Sequence, residues 1–132
     1  MAAFESLPIP RFGVNSLGRD LAVGDIHGAF AALQRALNAI GFDEQKDRLF
    51  SVGDLVDRGP ESHQVLSWLN QPWFHAVSGN HDFMAWRNAL GNPYLEVDHL
   101  AHGGQWLEAL STENCAVSAS SCHACPWLLR LK

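Results

Sequence analysis

Arg48-Leu49-Phe50-Ser51-Val52-Gly53-Asp54-Leu55-Val56-Asp57-Arg58-Gly59-Pro60 runs from an apolar segment into an acidic loop between glycines, and it ends on a proline suited to a helix's first turn. The same order occurs upstream. Leu21-Ala22-Val23 is a short apolar run that stops at Gly24-Asp25, as a buried strand ending in a turn would. Residues 29–40 then place Phe30, Leu33, Leu37 and Ile40 on one helical face, with Gly41 as a left-handed cap. After Pro60 a second helix presents Val65, Leu66 and Leu69. A third strand, Trp73 to Val77, leads into Ser78-Gly79-Asn80-His81-Asp82 and a third helix with Phe83, Trp86 and Leu90 as its buried face.

Strand, polar loop and helix thus recur three times, which predicts an α/β fold with a parallel sheet and crossover helices. In such sheets functional groups gather beyond the carboxyl ends of the strands. The loops around Asp25, Asp54 and Asn80 are therefore expected to converge, although 29 and 26 residues separate these positions. Residues 1–18 read as an irregular lead-in. Gly91-Asn92-Pro93 reads as a turn, and residues 99–110 read as helical, with Leu100, Trp106, Leu107 and Leu110 on one face. Residues 111–124 show no period, and Pro126 to Lys132 reads as a strand.

Each loop carries groups that can do chemistry. Asp25 and His27 alternate along what reads as extended backbone, so both would face one cation. A carboxylate with an imidazole suits manganese, iron or zinc better than magnesium or calcium. Taken alone, this Asp-x-His is equally a strand-end turn with a surface histidine. Asp54 is placed to bridge two cations, and Arg58 can grip two phosphoryl oxygens with its fixed fork. Asp57 can orient a neighbouring imidazole. A capping Asp with an Arg salt bridge explains part of this loop, but not two carboxylates and an Arg between glycines. In the third loop the Asn80 carbonyl is a neutral metal ligand, and His81 can donate a proton with Asp57 holding its tautomer. Standing alone, Gly79-Asn80-His81-Asp82 would read as a helix cap beside a surface histidine.

The totals set bounds. The chain has 132 residues, 47% of them hydrophobic and 17% charged, as in an ordinary globular domain. Nine Lys and Arg against fourteen Asp and Glu give a net charge of −5 and leave no basic patch for nucleic acid or an anionic membrane. No apolar run nears the ~20 residues that span a bilayer. Three cysteines, without the pattern of an export signal in residues 1–12, point to reduced thiols and a cytoplasmic setting. Cys122 and Cys125 form a lone C-x-x-C, which is weak evidence for metal or redox chemistry.

Gly-Asp-Ile-His-Gly (24–28), Gly-Asp-Leu-Val-Asp-Arg-Gly (53–59) and Gly-Asn-His-Asp (79–82) together resemble the signature of the calcineurin-like metallophosphoesterases. More narrowly they resemble the serine/threonine phosphatases of bacteria and phages, with further matches at Gly18-Arg19-Asp20, at Trp73 to Val77 and at His102 to Trp106. The resemblance implies the N-terminal portion of a four-layer α/β/β/α sandwich over residues 19–132, with its second sheet incomplete. It implies two divalent cations, manganese first and iron or zinc as alternatives. Asp25, His27 and Asp54 would hold one, and Asp54 with Asn80 the other. Arg58 would bind phosphate, and His81 with Asp57 would form the general-acid pair. The activity implied is hydrolysis of phosphomonoesters, phosphoserine and phosphothreonine in proteins or small phosphoesters, by in-line attack of a metal-bound water.

Two departures keep rivals in view. Asp82 stands where the phosphatases carry Glu. Asp there, with the run Arg58-Gly-Pro-x-Ser62, is shared by the symmetrical diadenosine tetraphosphate hydrolases, which usually lack a counterpart of Asp57. The family also draws two further His ligands and an Arg from later strands that this chain does not contain. His123 superficially matches one of them but follows no apolar strand. The pattern therefore also predicts a truncated chain with a weak second metal site, a catalytically feeble metal-binding relative, and self-association through an unfinished sheet edge. His99 and His102 are expected to be structural residues on a helix.

Overall fold

The computed structural model describes residues 10–89 and 98–114. In chain order these form β1 (Asp20–Val23), α1 (Phe30–Ala39), β2 (Arg48–Ser51), a 3-10 turn (Ser62–Gln64) leading into α2 (Val65–Leu69), β3 (Phe74–Ala76), α3 (Asn80–Ala89) and α4 (Gln105–Asn114). The strands pair in parallel in the order β1-β2-β3, with Ala22 beside Phe50 and Phe50 beside His75. The expected α/β class with crossover helices is what forms. Among the described residues there is one sheet, and no strand of a second. The expected strand at Pro126 to Lys132, the turn at Gly91-Asn92-Pro93, Leu90, His123 and the cysteine pair lie outside the described residues.

Alternation along each strand sends one set of side chains into the core and the other outward. Leu21, Val23, Leu49, Phe74 and Ala76 join Phe30 and Leu37 of α1 and Val65, Trp68 and Leu69 of α2. Phe30 is fully buried and stacks on Trp68 at a ring distance of 5.2 Å. The opposite sheet face carries Asp20, Ala22, Arg48, Phe50 and His75, partly covered by Phe12 from the lead-in, 5.0 Å from Phe50 and 4.5 Å from His75. Among the described residues no helix is long and apolar enough to cross a membrane.

Several helix details depart from the periodicity. In α2 the buried residues are Val65, Trp68 and Leu69, while Leu66 is exposed. Val65 and Leu69 keep the expected face, and Trp68 rather than Leu66 completes it, after a 3-10 element that precedes the α-helix. Ile40, expected in the core, is exposed because α1 has already ended. Gly41 is the left-handed residue of a Schellman cap, with Phe42 N–H donating to Leu37 O and Gly41 N–H to Asn38 O. In α3 the buried face is His81, Asp82 and Ala85, and Phe83 is exposed. The polar His81 and Asp82 thus take the inward side of this helix with Ala85. The segment 99–104 is a run of turns, so α4 begins only after Gly103-Gly104.

One polar knot fixes the lower end of the sheet. Asp47 is buried and accepts from Arg19 N, from Asp43 N and from the Arg19 guanidinium at 2.6 Å. That guanidinium also donates to Ile40 O and Gly41 O, so it satisfies carbonyls at the end of α1. The Arg19 side-chain bond, then the backbone donors, hold the Asp47 carboxyl well below its ordinary range. A carboxyl depressed in the folded state stabilises fully above its unfolded value, about 4, and that stabilisation disappears as pH falls through the lower folded value. Asp47→Asn is therefore expected to melt below the parent chain at neutral pH. The gap should shrink as pH drops below about 4, as thermal unfolding followed by circular dichroism across pH would show.

Candidate metal centre

Backbone bonds knit the first two loops together. Ile26 N–H and His27 N–H both donate to Asp54 O, at 3.0 and 2.8 Å, and Gly28 N–H donates to Leu55 O at 2.8 Å. The third loop is tied by carboxylates. Asp54 Oδ1 accepts His81 N–H at 2.9 Å, so it caps the first turn of α3 from another segment. Asp82 is fully buried and accepts from Gly79 N and Leu55 N, each at 2.9 Å, spanning the second and third loops. Burial pushes the Asp82 carboxyl up against the pull of those backbone donors.

This convergence is tight. A Cβ on Gly79 would collide with Asp54 Oδ1 and with the Asp54 backbone nitrogen. Among the described residues the non-glycine positions with positive φ are His27 (46°), Asp54 (51°), Asp57 (70°) and Arg58 (70°). All four lie in the first two of the converging loops. Left-handed backbone at non-glycine residues costs free energy and persists where the surroundings enforce it, a pattern that concentrates at functional sites.

Oxygen and nitrogen atoms of Asp25, His27 and Asp54 lie within 4.8 Å of one another. His27 Nδ1 is 3.0 Å from Val56 O, and a carbonyl only accepts, so Nδ1 carries the proton and Nε2 keeps its lone pair. Nε2 faces Asp25 Oδ2 at 3.7 Å. A carboxylate, a second carboxylate and an imidazole oriented by a backbone carbonyl make a donor set that fits a divalent cation. The route to it differs from the expected extended alternation. His27 meets Asp25 because the chain turns at His27 itself, with both N–H groups gathered onto Asp54 O. Asn80 sits not in a loop but as the first residue of α3, exposed, next to His81.

Arg58 is exposed and its guanidinium reaches both imidazoles, with Nη1 3.3 Å from His27 Nε2 and Nη2 3.1 Å from His81 Nε2. His81 is buried, and its Nδ1 donates to Asp57 Oδ2 at 3.0 Å. Nε2 is thus the nitrogen turned toward Arg58. The structure brings together Asp25, His27, Asp54, Asp57, Arg58 and His81, with Asn80 beside them.

Two partners of this cluster are residues whose sequence context gives them other parts, Trp106 on a helical face in the run His102 to Trp106 and His99 as a structural residue. His99, expected to be a structural residue on a helix, lies instead in a turn, buried, with Nε2 2.9 Å from Asp57 Oδ2. Trp106 Nε1 donates to Asp57 Oδ1 at 2.7 Å. Their signal in the sequence is slight: a histidine and a tryptophan on either side of Gly103-Gly104. Burial alone would push the Asp57 carboxyl up. The donors from His99, Trp106 and His81 outweigh it and hold the carboxyl below its ordinary value. His102 is exposed, with its ring 6.2 Å from that of His81.

The calcineurin-like phosphoesterase family model matches residues 19–123, and the chain belongs to that family. It is 41% identical over 113 residues to serine/threonine-protein phosphatase 1 of Salmonella typhimurium, covering 83% of this chain and 51% of that protein. It is 46% identical over 120 residues to the symmetrical bis(5'-nucleosyl)-tetraphosphatase of Legionella pneumophila, covering 80% and 44%. A solved structure named for a candidate diadenosine tetraphosphatase superposes with a TM-score of 0.56 at 30% identity, over 89% of this chain and 44% of that one. The chain spans about half the length of these relatives, or less. Divalent-metal dependence belongs to the family, and the Asp-His-Asp cluster is where this chain can meet it.

The Gly79 contact yields a direct test. Gly79→Ala forces a methyl group against the Asp54 carboxylate, and overpacking of this kind costs about 1–3 kcal/mol. Urea unfolding should show that loss. Isothermal titration with Mn2+ should show affinity weakened by about tenfold or more, as for displaced outer-shell support.

Proposed function

We propose that this chain carries a metal-dependent phosphomonoesterase site for two divalent cations, acting on phosphoserine and phosphothreonine in proteins or on small phosphoesters. The observation that carries the reading is the meeting of the Asp25, His27 and Asp54 donor atoms beside a guanidinium that touches both imidazoles. Asp25, His27 and Asp54 would hold the first cation, and Asp54 with Asn80 the second. Manganese suits these donors, with iron or zinc as alternatives. Bound there, the cations would neutralise phosphoryl charge and activate a water for attack on phosphorus.

The chain's own residues do the remainder. Arg58 exchanges its imidazole contacts for equatorial phosphoryl oxygens, where transition-state charge gathers. That exchange frees His81 Nε2 to take up a proton while Nδ1 stays on Asp57, and the doubly protonated ring then donates from Nε2 to the departing ester oxygen. Asp57 fixes the ring that does so. A full Asp57–His81 contact supports the protein-phosphatase reading over the dinucleotide one, because the tetraphosphate hydrolases usually lack that carboxylate. The odd cysteine count supports a reducing, cytoplasmic setting.

With Mn2+ the chain is expected to hydrolyse p-nitrophenyl phosphate, and chelation with EDTA should abolish turnover. Asp54→Ala should remove activity by about 1000-fold or more, as expected when metal support and water positioning fail together. His81→Ala should cost about 100-fold or more on esters with poor leaving groups. Faster cleavage of a phosphopeptide than of diadenosine tetraphosphate supports the assignment, and the reverse order transfers it to the dinucleotide class. A metal-replete, folded chain with no turnover on any of these substrates overturns it.

A further inference from the structure

Asp57 has more partners than a carboxylate needs to orient one imidazole. It is fully buried, and three N–H groups converge on its two oxygens. His81 Nδ1 and His99 Nε2 donate to Oδ2 at 3.0 and 2.9 Å, and Trp106 Nε1 donates to Oδ1 at 2.7 Å. Donors on both oxygens fix the rotation of the carboxylate, which a single bond to His81 would leave open.

The supporting pair is itself held. His99 gives its Nε2 proton to Asp57, so Nδ1 has the lone pair and accepts from Asn88 Nδ2 at 3.2 Å. A Cβ on Gly104 would run into the His99 ring, so the turn presses the imidazole into place. Gly103, at φ 93°, abuts the Arg58 backbone, so the same turn also backs the phosphate-gripping residue. The turn and the start of α4 thus form a rear wall behind the Asp57–His81 pair, from a segment distant in sequence, with His99 42 residues and Trp106 49 residues beyond Asp57.

We propose that His99 and Trp106 are positioning residues which, acting through Asp57, aim His81 Nε2 at the leaving oxygen of the substrate. This rests on the reading of His81 as general acid. In that step the bond from phosphorus to the ester oxygen breaks and a bond from the water oxygen to phosphorus forms. The ester oxygen takes a proton from Nε2 of the doubly protonated His81 ring, whose Nδ1–H stays on Asp57, and the proton shed by the water restores that form through solvent. Neither His99 nor Trp106 touches substrate. Their effect should therefore appear in leaving-group dependence: phenoxide needs the proton, p-nitrophenoxide needs it far less.

The test combines a spectroscopic and a kinetic readout. In proton NMR of the metal-free chain, the buried His81 Nδ1–H should give a slowly exchanging downfield resonance, identified by its loss in His81→Gln. Trp106→Phe keeps an aromatic ring and removes only the donor; it and His99→Leu should broaden or abolish that resonance. His99→Gln, which returns an N–H donor, should restore it. In the Mn2+-loaded chain, the ratio of kcat for phenyl phosphate to kcat for p-nitrophenyl phosphate should fall about tenfold in Trp106→Phe and His99→Leu. It should recover in His99→Gln, with KM moving little. If His99→Leu does not fold, Trp106→Phe carries the test, its fold checked by circular dichroism.

A folded Trp106→Phe with the parental substrate ratio overturns the proposal, whether or not the resonance moves, because that is what a packing role predicts. Equal loss on both substrates overturns it as well. A parent chain inactive on both substrates under Mn2+ sinks the phosphomonoesterase reading, and the positioning role falls with it. With an active parent, the substrate ratios of the variants bear on His99 and Trp106 alone.

Discussion

The site hangs on Asp54. Its carbonyl collects two N–H groups of the first loop and its carboxylate caps the first turn of α3, so one residue holds three strand ends within reach. It does so from a left-handed backbone at φ 51°, a conformation that needs support from outside. The support is steric. Gly79 offers no side chain where the Asp54 carboxylate must lie. Remove that clearance and the Asp54 carboxylate is pushed from the place where it meets Asp25 and His27.

Around this knot the chain builds a polar interior of a kind that a small domain seldom tolerates. Asp57, Asp82 and His81 are all but inaccessible to water, and a buried polar group without partners costs about 1–3 kcal/mol. Each is satisfied. Asp82 is held by two backbone donors, and Asp57 by three side-chain donors. The two carboxylates respond in opposite directions. Burial dominates at Asp82 and raises its carboxyl, whereas the donors at Asp57 win and keep it ionised. The difference suits their positions: Asp82 braces loops, and Asp57 faces an imidazole that must keep one tautomer.

The apolar core is the platform for this. Phe30, Trp68, Leu49 and Phe74 fill the space between the sheet and α1 and α2. That packing sets where each strand ends, and therefore where each loop begins. The opposite face of the sheet is more open, with Phe12, Phe50 and His75 clustered over the Asp20–Arg48 ion pair.

The sequence alone determined the parallel α/β arrangement and the polar loops that end its strands. Both rest on local rules: alternation for strands, three-and-four spacing for helices, glycines bounding polar turns. Asp25, His27, Asp54, Asp57, Arg58 and His81 were legible because they cluster in short motifs at strand ends. Helix faces were read less well. Leu66 and Phe83 are exposed, since Trp68 takes the inward place in α2 and His81 and Asp82 take it in α3. Tertiary structure decided the rest. His27 meets Asp25 through a left-handed turn set by Asp54, and His99 and Trp106 reach Asp57 across more than 40 residues of chain. No periodicity encodes such contacts, because a hydrogen bond between distant segments depends on how the intervening elements pack rather than on the spacing of residues along the chain.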